Sequence, residues 1–367
     1  MSDPLHDAVL LSLVPGIGPI LSQALVEHLG SPTAVLDAAP SQLREVRGIS
    51  TKLGTAIARA RQDIDVAATL EECRGEGVQV LATHDPAYPR SLAEIPDPPG
   101  VLYVRGEIQP TDALAVAIVG SRHATQYGKD TSHRLASSLA RAGMTVVSGL
   151  ARGIDAAAHR GALEAGGRTI AVLGSGVLCI YPPEHEKLAE EVAAHGAVVS
   201  EAPLRSPPRS GSFPQRNRII SGLAMGVIVV EASDRSGALI TVRHAMEQNR
   251  DVFAVPGRVD SRMSRGCHKL IRDGAKLVEA ADDVLEELGH LVEATTGSQG
   301  QEVHHAAELL LNELEQQVLA AVSSDRSTID EVVSGSGLPT PQVLATLNVL
   351  EVRRLIRRLS GNSVMRV

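Results

Sequence analysis

The sequence predicts an α/β protein: a doubly wound parallel sheet forms the core, with an N-terminal helical domain and a C-terminal winged helix. Three observations carry this prediction. Short apolar runs between residues 114 and 257 alternate with helical patterns. The first 65 residues hold helical periodicity and glycine turns but no strand-like run. Beyond a polar stretch at 289–308, the chain ends in amphipathic helices and a β-rich tail. Unbroken apolar strands joined by helices mean a sheet covered on both faces, because each crossover lays a helix over it.

The elements justify themselves in order. In residues 1–65, LLSLVPGIGPILSQALVEHLG (10–30) reads as helix, tight turn, helix, and LREVRGISTKLGTAIARAR (43–61) is a weaker copy with Ser50 where a hairpin glycine is expected. The pair resembles helix-hairpin-helix or SAM-like units. Gly16 and Gly18 would open a helix with free backbone amides, a geometry that can hold a phosphate; packing against the rest of the chain or against a partner explains the pattern equally well. Residues 66–288 form the core domain. It begins with a connection to about 112 in which Pro96, Pro98 and Pro99 forbid helix and VLYVR reads as a strand. The core strands are LAVAIVG (114–120), TVVSG (145–149), TIAVLG (169–174), AVVSE (197–201), VIVVEA (227–232) and DVFAVPG (251–257). Residues 289–308 are polar and Gly/Ser-bearing, the composition of a linker. Residues 309–367 give three helices and a hairpin wing.

Composition narrows the function. A length of 367 residues suits two or three domains, and 43% apolar with 21% charged residues is globular usage. The formal charge of −8 excludes a uniformly basic surface, but not local basic patches, since screening over roughly 10 Å makes the near field decisive. With no Trp, four Tyr and two Phe, the chain lacks the row of aromatic platforms on which readers of unstacked bases rely. A grip on nucleic acid would rest mainly on phosphates. Cys73, Cys179 and Cys267 are isolated and are expected to be reduced thiols. The N-terminal segment has no signal-peptide pattern and no apolar run reaches membrane-spanning length, so a cytoplasmic protein with no membrane contact is expected.

Ligands of a parallel sheet gather beyond the carboxyl ends of its strands. Four strand ends carry signals. IVGSRHATQYG (118–128) offers Gly120 for close backbone approach, Ser121 with its hydroxyl and amide, and Arg122 with a guanidinium fork suited to phosphate. SGLARGIDAAAH (148–159) sets Gly149 and Gly153 around Arg152. GSG at 174–176 contributes Gly174. PLRSPPRSGSFPQRNRIISG (203–222) holds Arg205, Arg209, Arg216 and Arg218 with no acidic residue before Glu231, the strongest positive cluster in the chain. Asp155 is expected to cap locally or pair with an arginine, Arg152 being one partner for it, and His159 to be a core histidine.

Other chemistries lack their motifs. No GxGxxG with a following acid marks a nicotinamide site, no GxxxxGK[ST] marks a P-loop, and no GxSxG elbow marks a hydrolase. No nucleophile sits beside a recognisable base and no cysteine–histidine spacing suggests a metal. The expectation is a binding protein with no catalytic residues, cofactor or metal.

Taken in order and spacing, IVGSRHATQYG, SGLARGIDAAAH, TIAVLGSGV, YPPEH, FPQRNRIISG, VVEASDRSGALIT and VFAVPG resemble the DNA-processing protein A (DprA/Smf) family, densely over 84–280. The resemblance implies an extended Rossmann fold, dimerisation through it, and single-stranded DNA bound in a basic pocket. It further implies delivery of that DNA to RecA in natural transformation or repair. By motif match Gly120, Ser121 and Arg122 would hold phosphates, while Phe213, Arg216 and Asn217 would line the adjoining wall; Arg152, Gly174 and Arg218 complete the expected site. Relatives often carry Lys three residues before the phenylalanine. Here that position is Ser210, and Arg209, one place earlier, is expected to substitute. Either terminal domain is a further candidate contact for duplex DNA; residues 312–367 balance six acids against six arginines, which fits duplex DNA or a protein. The alternative is an enzyme, a Rossmann-type nucleotide phosphoribohydrolase, with SGALIT holding a phosphate and Glu231 as the carboxylate at the sugar.

Overall fold

The structure is a computed structural model and describes residues 3–288, 295–296, 302–303, 313–323, 326–352, 355–359 and 363–366. The chain opens with helices α1 (Pro4–Leu13), α2 (Pro19–Leu29), α3 (Pro32–Asp37), α4 (Pro40–Leu43), α5 (Thr51–Asp63) and α6 (Val66–Gly75). Four of them start at a proline, whose missing N–H is no loss in a first turn. Asp3, Ser31, Ser50 and Asp65 cap α1, α3, α5 and α6 through their side chains. Ser50 at the second hairpin thus starts a helix that a glycine would start less well.

The core continues with β1 (Val78–Ala82), α7 (Arg90–Ala93), β2 (Val101–Gly106), β3 (Ala115–Val119), α8 (Gln126–Arg141), β4 (Thr145–Ser148), α9 (Ile154–Glu164) and β5 (Thr169–Val172). There follow α10 (Glu186–His195), β6 (Gly196–Ser200), α11 (Ser212–Gly222), β7 (Gly226–Val229), α12 (Ala238–Glu247), β8 (Asp251–Ala254), α13 (Arg265–Arg272), β9 (Lys276–Leu277) and α14 (Ala281–Leu288). All six expected core strands are present. They stand in one sheet of order β1-β2-β6-β5-β4-β3-β7-β8-β9. From β6 to β9 every pairing is parallel, whereas β1–β2 and β2–β6 are antiparallel. The sheet is therefore mixed at one edge. Within 66–112 the strand expected at VLYVR is β2, and the segment adds α6, α7 and β1, which its composition does not announce.

Side chains alternate across the sheet with the period of two that a strand imposes. Ala115, Ala117 and Val119 of β3 face the cluster built with α11 and α12 (Ile219, Ile220, Val242), while Val116 and Ile118 face that of α8 and α9 (Leu135, Leu139, Ile154). The N-terminal helices share a third cluster with β1, β2, β5 and β6, in which Leu10, Leu25 and Ile57 join Val101, Tyr103 and Ala171. The apolar packing thus runs unbroken across residue 65, where one helix simply follows another.

Most of the expected linker 289–308 lies outside the described residues; within it β10 (Thr295–Thr296) pairs antiparallel with β11 (Glu302–Val303). The C-terminal unit comprises α15 (Glu313–Ala320), β12 (Ser327–Thr328), α16 (Ile329–Ser336), α17 (Thr340–Val352), β13 (Ile356–Leu359) and β14 (Ser363–Arg366). Thr328 and Glu331 form a capping box that starts α16. Val318, Val332, Leu347, Leu350 and Val364 close its own core, giving a winged helix whose wing gains β12 as a third strand.

Candidate nucleic-acid interface

The sheet order reverses between β3 and β7, and the turn after β3 carries Gly120, Ser121 and Arg122. That position is the switch point at which doubly wound sheets bind their ligands. The backbone there is already committed. Ser121 N–H donates to the carbonyl of Glu231 at 2.8 Å, and Ser121 Oγ accepts from His123 N–H at 3.0 Å. A Cβ at Gly120 would lie 2.6 Å from Ile154 Cγ1. The expected role of the Ser121 amide toward a phosphate is thus corrected, since that amide stitches β3 to β7; Gly120 admits α9, and the Arg122 side chain is exposed.

Helix α11 brings the second half. Arg216 is buried beneath the strand ends, 4% exposed, and its guanidinium donates to the carbonyls of Gly149 (2.7 Å) and Val172. Gly149 makes this possible, since a Cβ there would sit 2.2 Å from Arg216 Nη2. Burial pulls the Arg216 pKa down to about 10, against the opposing pull of Asp155. Asp155, also buried, accepts from the amides of Gly149 (3.2 Å) and Ala151 (3.4 Å). Burial raises its pKa, while Arg216 draws it back down. Asp155 therefore caps locally and faces an arginine, though the arginine is Arg216. Asn217 ties the arrangement to α12, accepting from Arg216 Nε at 3.1 Å and donating to the Gly237 carbonyl at 3.3 Å.

At the rim the ring of Phe213 stands beside Gly174, where a Cβ would be 3.1 Å from Phe213 Cδ1. The Arg122 guanidinium carbon lies 5.1 Å from the ring centroid, and Tyr181 packs on it at 5.5 Å with a 46° tilt. Tyr181, 37% exposed, escaped the sequence reading because only the fold sets it beside Phe213. Arg122, Phe213, Gly174, Arg216 and Asn217 are thus brought together. Arg209 is exposed on a neighbouring cleft of about 1170 Å³, whose walls come from the Val14–Pro19 turn and the 201–216 segment.

Two arginines of the 203–222 cluster, and Arg152 outside it, are otherwise engaged. Arg218, 1% exposed, is held by Glu201 (2.7 Å) and Asp97 (3.0 Å) and is not available to a phosphate. Arg205 is paired with Glu72 and Glu76 (2.7 and 2.6 Å). Arg152 pairs with Glu184 at the surface, not with Asp155. The count of four positive charges was local to the chain, and the fold supplies the acids. Glu231 is 3% exposed and caps α8, accepting from Thr125 N–H (2.8 Å) and Thr125 Oγ1 (2.6 Å); the hydrolase alternative loses its carboxylate. His159 is fully buried, as expected of a core residue. Among the described residues no group of three His, Cys, Asp or Glu is placed to hold a metal, and no helix is long and apolar enough to cross a membrane.

The chain is similar to known proteins in both its core and its C-terminal unit. A family model described as DNA recombination-mediator protein A matches residues 79–289, and one described as DprA winged helix domain matches 303–362. Protein Smf of Synechocystis is 37% identical over 95% of this chain and 96% of its own length. The DNA processing protein DprA of Bacillus subtilis is 43% identical over 59% of this chain and 73% of its own. The solved structure of DNA processing protein A from Streptococcus pneumoniae superposes with a TM-score of 0.69 at 35% identity, covering 78% of this chain and 99% of that one. That of its Helicobacter pylori counterpart, described for its single-stranded DNA binding mode, superposes with a TM-score of 0.53 at 31% identity, covering 59% and 97%.

Proposed function

The chain belongs to the DNA recombination-mediator protein A family, and from that premise we propose that it binds single-stranded DNA at the Arg122–Phe213 rim and passes the strand to RecA. The observation that carries the reading is the stacking of Arg122, Phe213 and Tyr181 above buried Arg216 at the sheet's switch point. Arg122 and Arg209 take phosphates. Phe213 offers one face to an unstacked base, which a duplex cannot present. Arg216 supplies a fixed positive field from below, and Gly174 and Asn217 shape the wall. A strand held by phosphates and one ring keeps its other bases free for a recombinase. Natural transformation and repair are the settings in which such delivery is needed, and a RecA partner places the protein in the cytoplasm.

Homodimerisation through the Rossmann domain is part of the same proposal. Support comes from the β8–β9 end of the sheet, where Leu277 on the edge strand is 44% exposed and Val259 in the loop leaving β8 is 89% exposed. Duplex contact by the winged helix would fall on its wing, where Arg357 is exposed, since α17 contains no Lys or Arg.

Fluorescence anisotropy of labelled oligothymidylate across a salt series tests the binding. For a short oligomer a log K against log salt slope near −1.4 is expected, from two phosphate contacts at about 0.7 each. RecA nucleation on strands coated with single-strand binding protein tests the delivery. Wild-type protein that neither binds the oligomer nor speeds nucleation removes the proposal.

A further inference from the structure

We propose that the groove between α8 and α9 is a second phosphate subsite, taking the stretch of single-stranded DNA that leaves the Arg122–Phe213 rim; it rests on the single-strand reading above. The groove has a volume of about 390 Å³, and Lys129 and Arg160 stand on its two helical walls, with Arg152 and His185 also lining it. Gly161 draws the helices together, for a Cβ there would lie 2.2 Å from the His133 carbonyl oxygen. That close approach sets Arg160 of α9 opposite Lys129 of α8.

The charge of the walls points to an anion. Lys129 and Arg160 are both exposed and have no ion-pair partner among the described residues. His185, 6% exposed, closes the inner end of the groove and is fixed there by Nδ1 donating to the Leu150 carbonyl at 2.8 Å. Glu184 is paired with Arg152, and the one acid lining the groove, Asp130, accepts from Gln126 at 2.7 Å, so Lys129 and Arg160 leave the lining with a net positive charge. The lining has no Phe, Tyr or large aliphatic side chain to receive a base, so the groove suits backbone rather than nucleobase.

Continuity makes the occupant a strand rather than a free ion. Gly153, which starts α9 and lines the groove, packs against the turn that bears Arg122; a Cβ there would sit 2.3 Å from the Ser121 oxygen and 2.9 Å from the Arg122 oxygen. A strand whose phosphate rests on Arg122 meets the mouth of the groove next.

The test compares a short oligothymidylate of about 6 nucleotides with one of about 20, against a double variant Lys129→Gln and Arg160→Gln. For the long strand the salt slope should become shallower by about 1.4, two contacts at about 0.7 each, while short-strand affinity stays at the wild-type value. Arg122→Ala should weaken both lengths. An unchanged long-strand slope, or equal losses at the two lengths, overturns the subsite while leaving the rim assignment intact. Wild-type protein that binds neither length overturns the single-strand reading itself, and the subsite with it.

Discussion

The guanidinium of Arg122 lies over the ring of Phe213, with 5.1 Å from its central carbon to the ring centroid. The two come from opposite halves of the site, one from the turn after β3 and the other from the first turn of α11. A cation over an aromatic face is attracted by the ring quadrupole, and here the ring also keeps Arg122 at the rim above a second positive group, Arg216. That like charge lowers the Arg216 pKa further, after burial has done most of it. An anion entering from solvent would relieve that repulsion.

The two residues should separate in a salt titration. Phe213→Ala removes a stacking face worth about 1–3 kcal/mol per base, so single-strand affinity should fall about 5- to 150-fold with an unchanged salt slope. Arg122→Gln should lower the slope magnitude by about 0.7. Equal slope changes in both variants would show that the ring acts only by holding the arginine.

Arg218 is a fold residue. Arg218→Ala leaves Glu201 partly buried without its cation, and loss of about 3 kcal/mol of stability is expected, the lower end of the range for a broken buried pair because Glu201 is 18% exposed. Urea midpoints measure it. The pair variant Arg218→Met with Glu201→Gln should recover most of the loss, and a single variant within about 0.5 kcal/mol of wild type would return Arg218 to the list of ligand candidates.

His159 makes the fold sensitive to acid. Thr169 Oγ1 donates to the Val146 carbonyl at 2.6 Å, so at its 2.7 Å contact with His159 it accepts, and the imidazole proton sits on Nδ1. Nε2 is buried with no partner, and burial holds the pKa down to about 3 against an ordinary 6.5. The native state stays neutral where the unfolded chain binds a proton. The contribution is therefore whole above pH 6.5 and is lost as pH falls from there toward 3, at up to about 1.4 kcal/mol per pH unit. Chemical denaturation of His159→Asn between pH 7 and 4, set against wild type, should show the smaller acid loss in the variant; parallel curves would exclude His159 as the sensor.

Much of the architecture was legible because the physics is local. Strands such as AVAIV and GVIV are apolar at every position, and only burial on both faces makes that pattern stable, so the parallel core and its helices follow from reading along the chain. The edge was harder. β1 (VQVLA) is short, has no regular alternation in burial and pairs antiparallel with β2 residues 19 to 27 positions on, a pairing no local periodicity announces.

By itself the sequence determined the doubly wound core, the winged helix with its Thr328–Glu331 cap, and the strand ends where a ligand would gather, since each rests on neighbours in the chain. Only the tertiary structure decided which arginines are free. Glu72 lies 133 residues from Arg205 and Glu201 lies 17 from Arg218, while Tyr181 reaches Phe213 across the sheet's end. Charge compensation and ring stacking act over a few ångströms of space, and chain distance does not measure that.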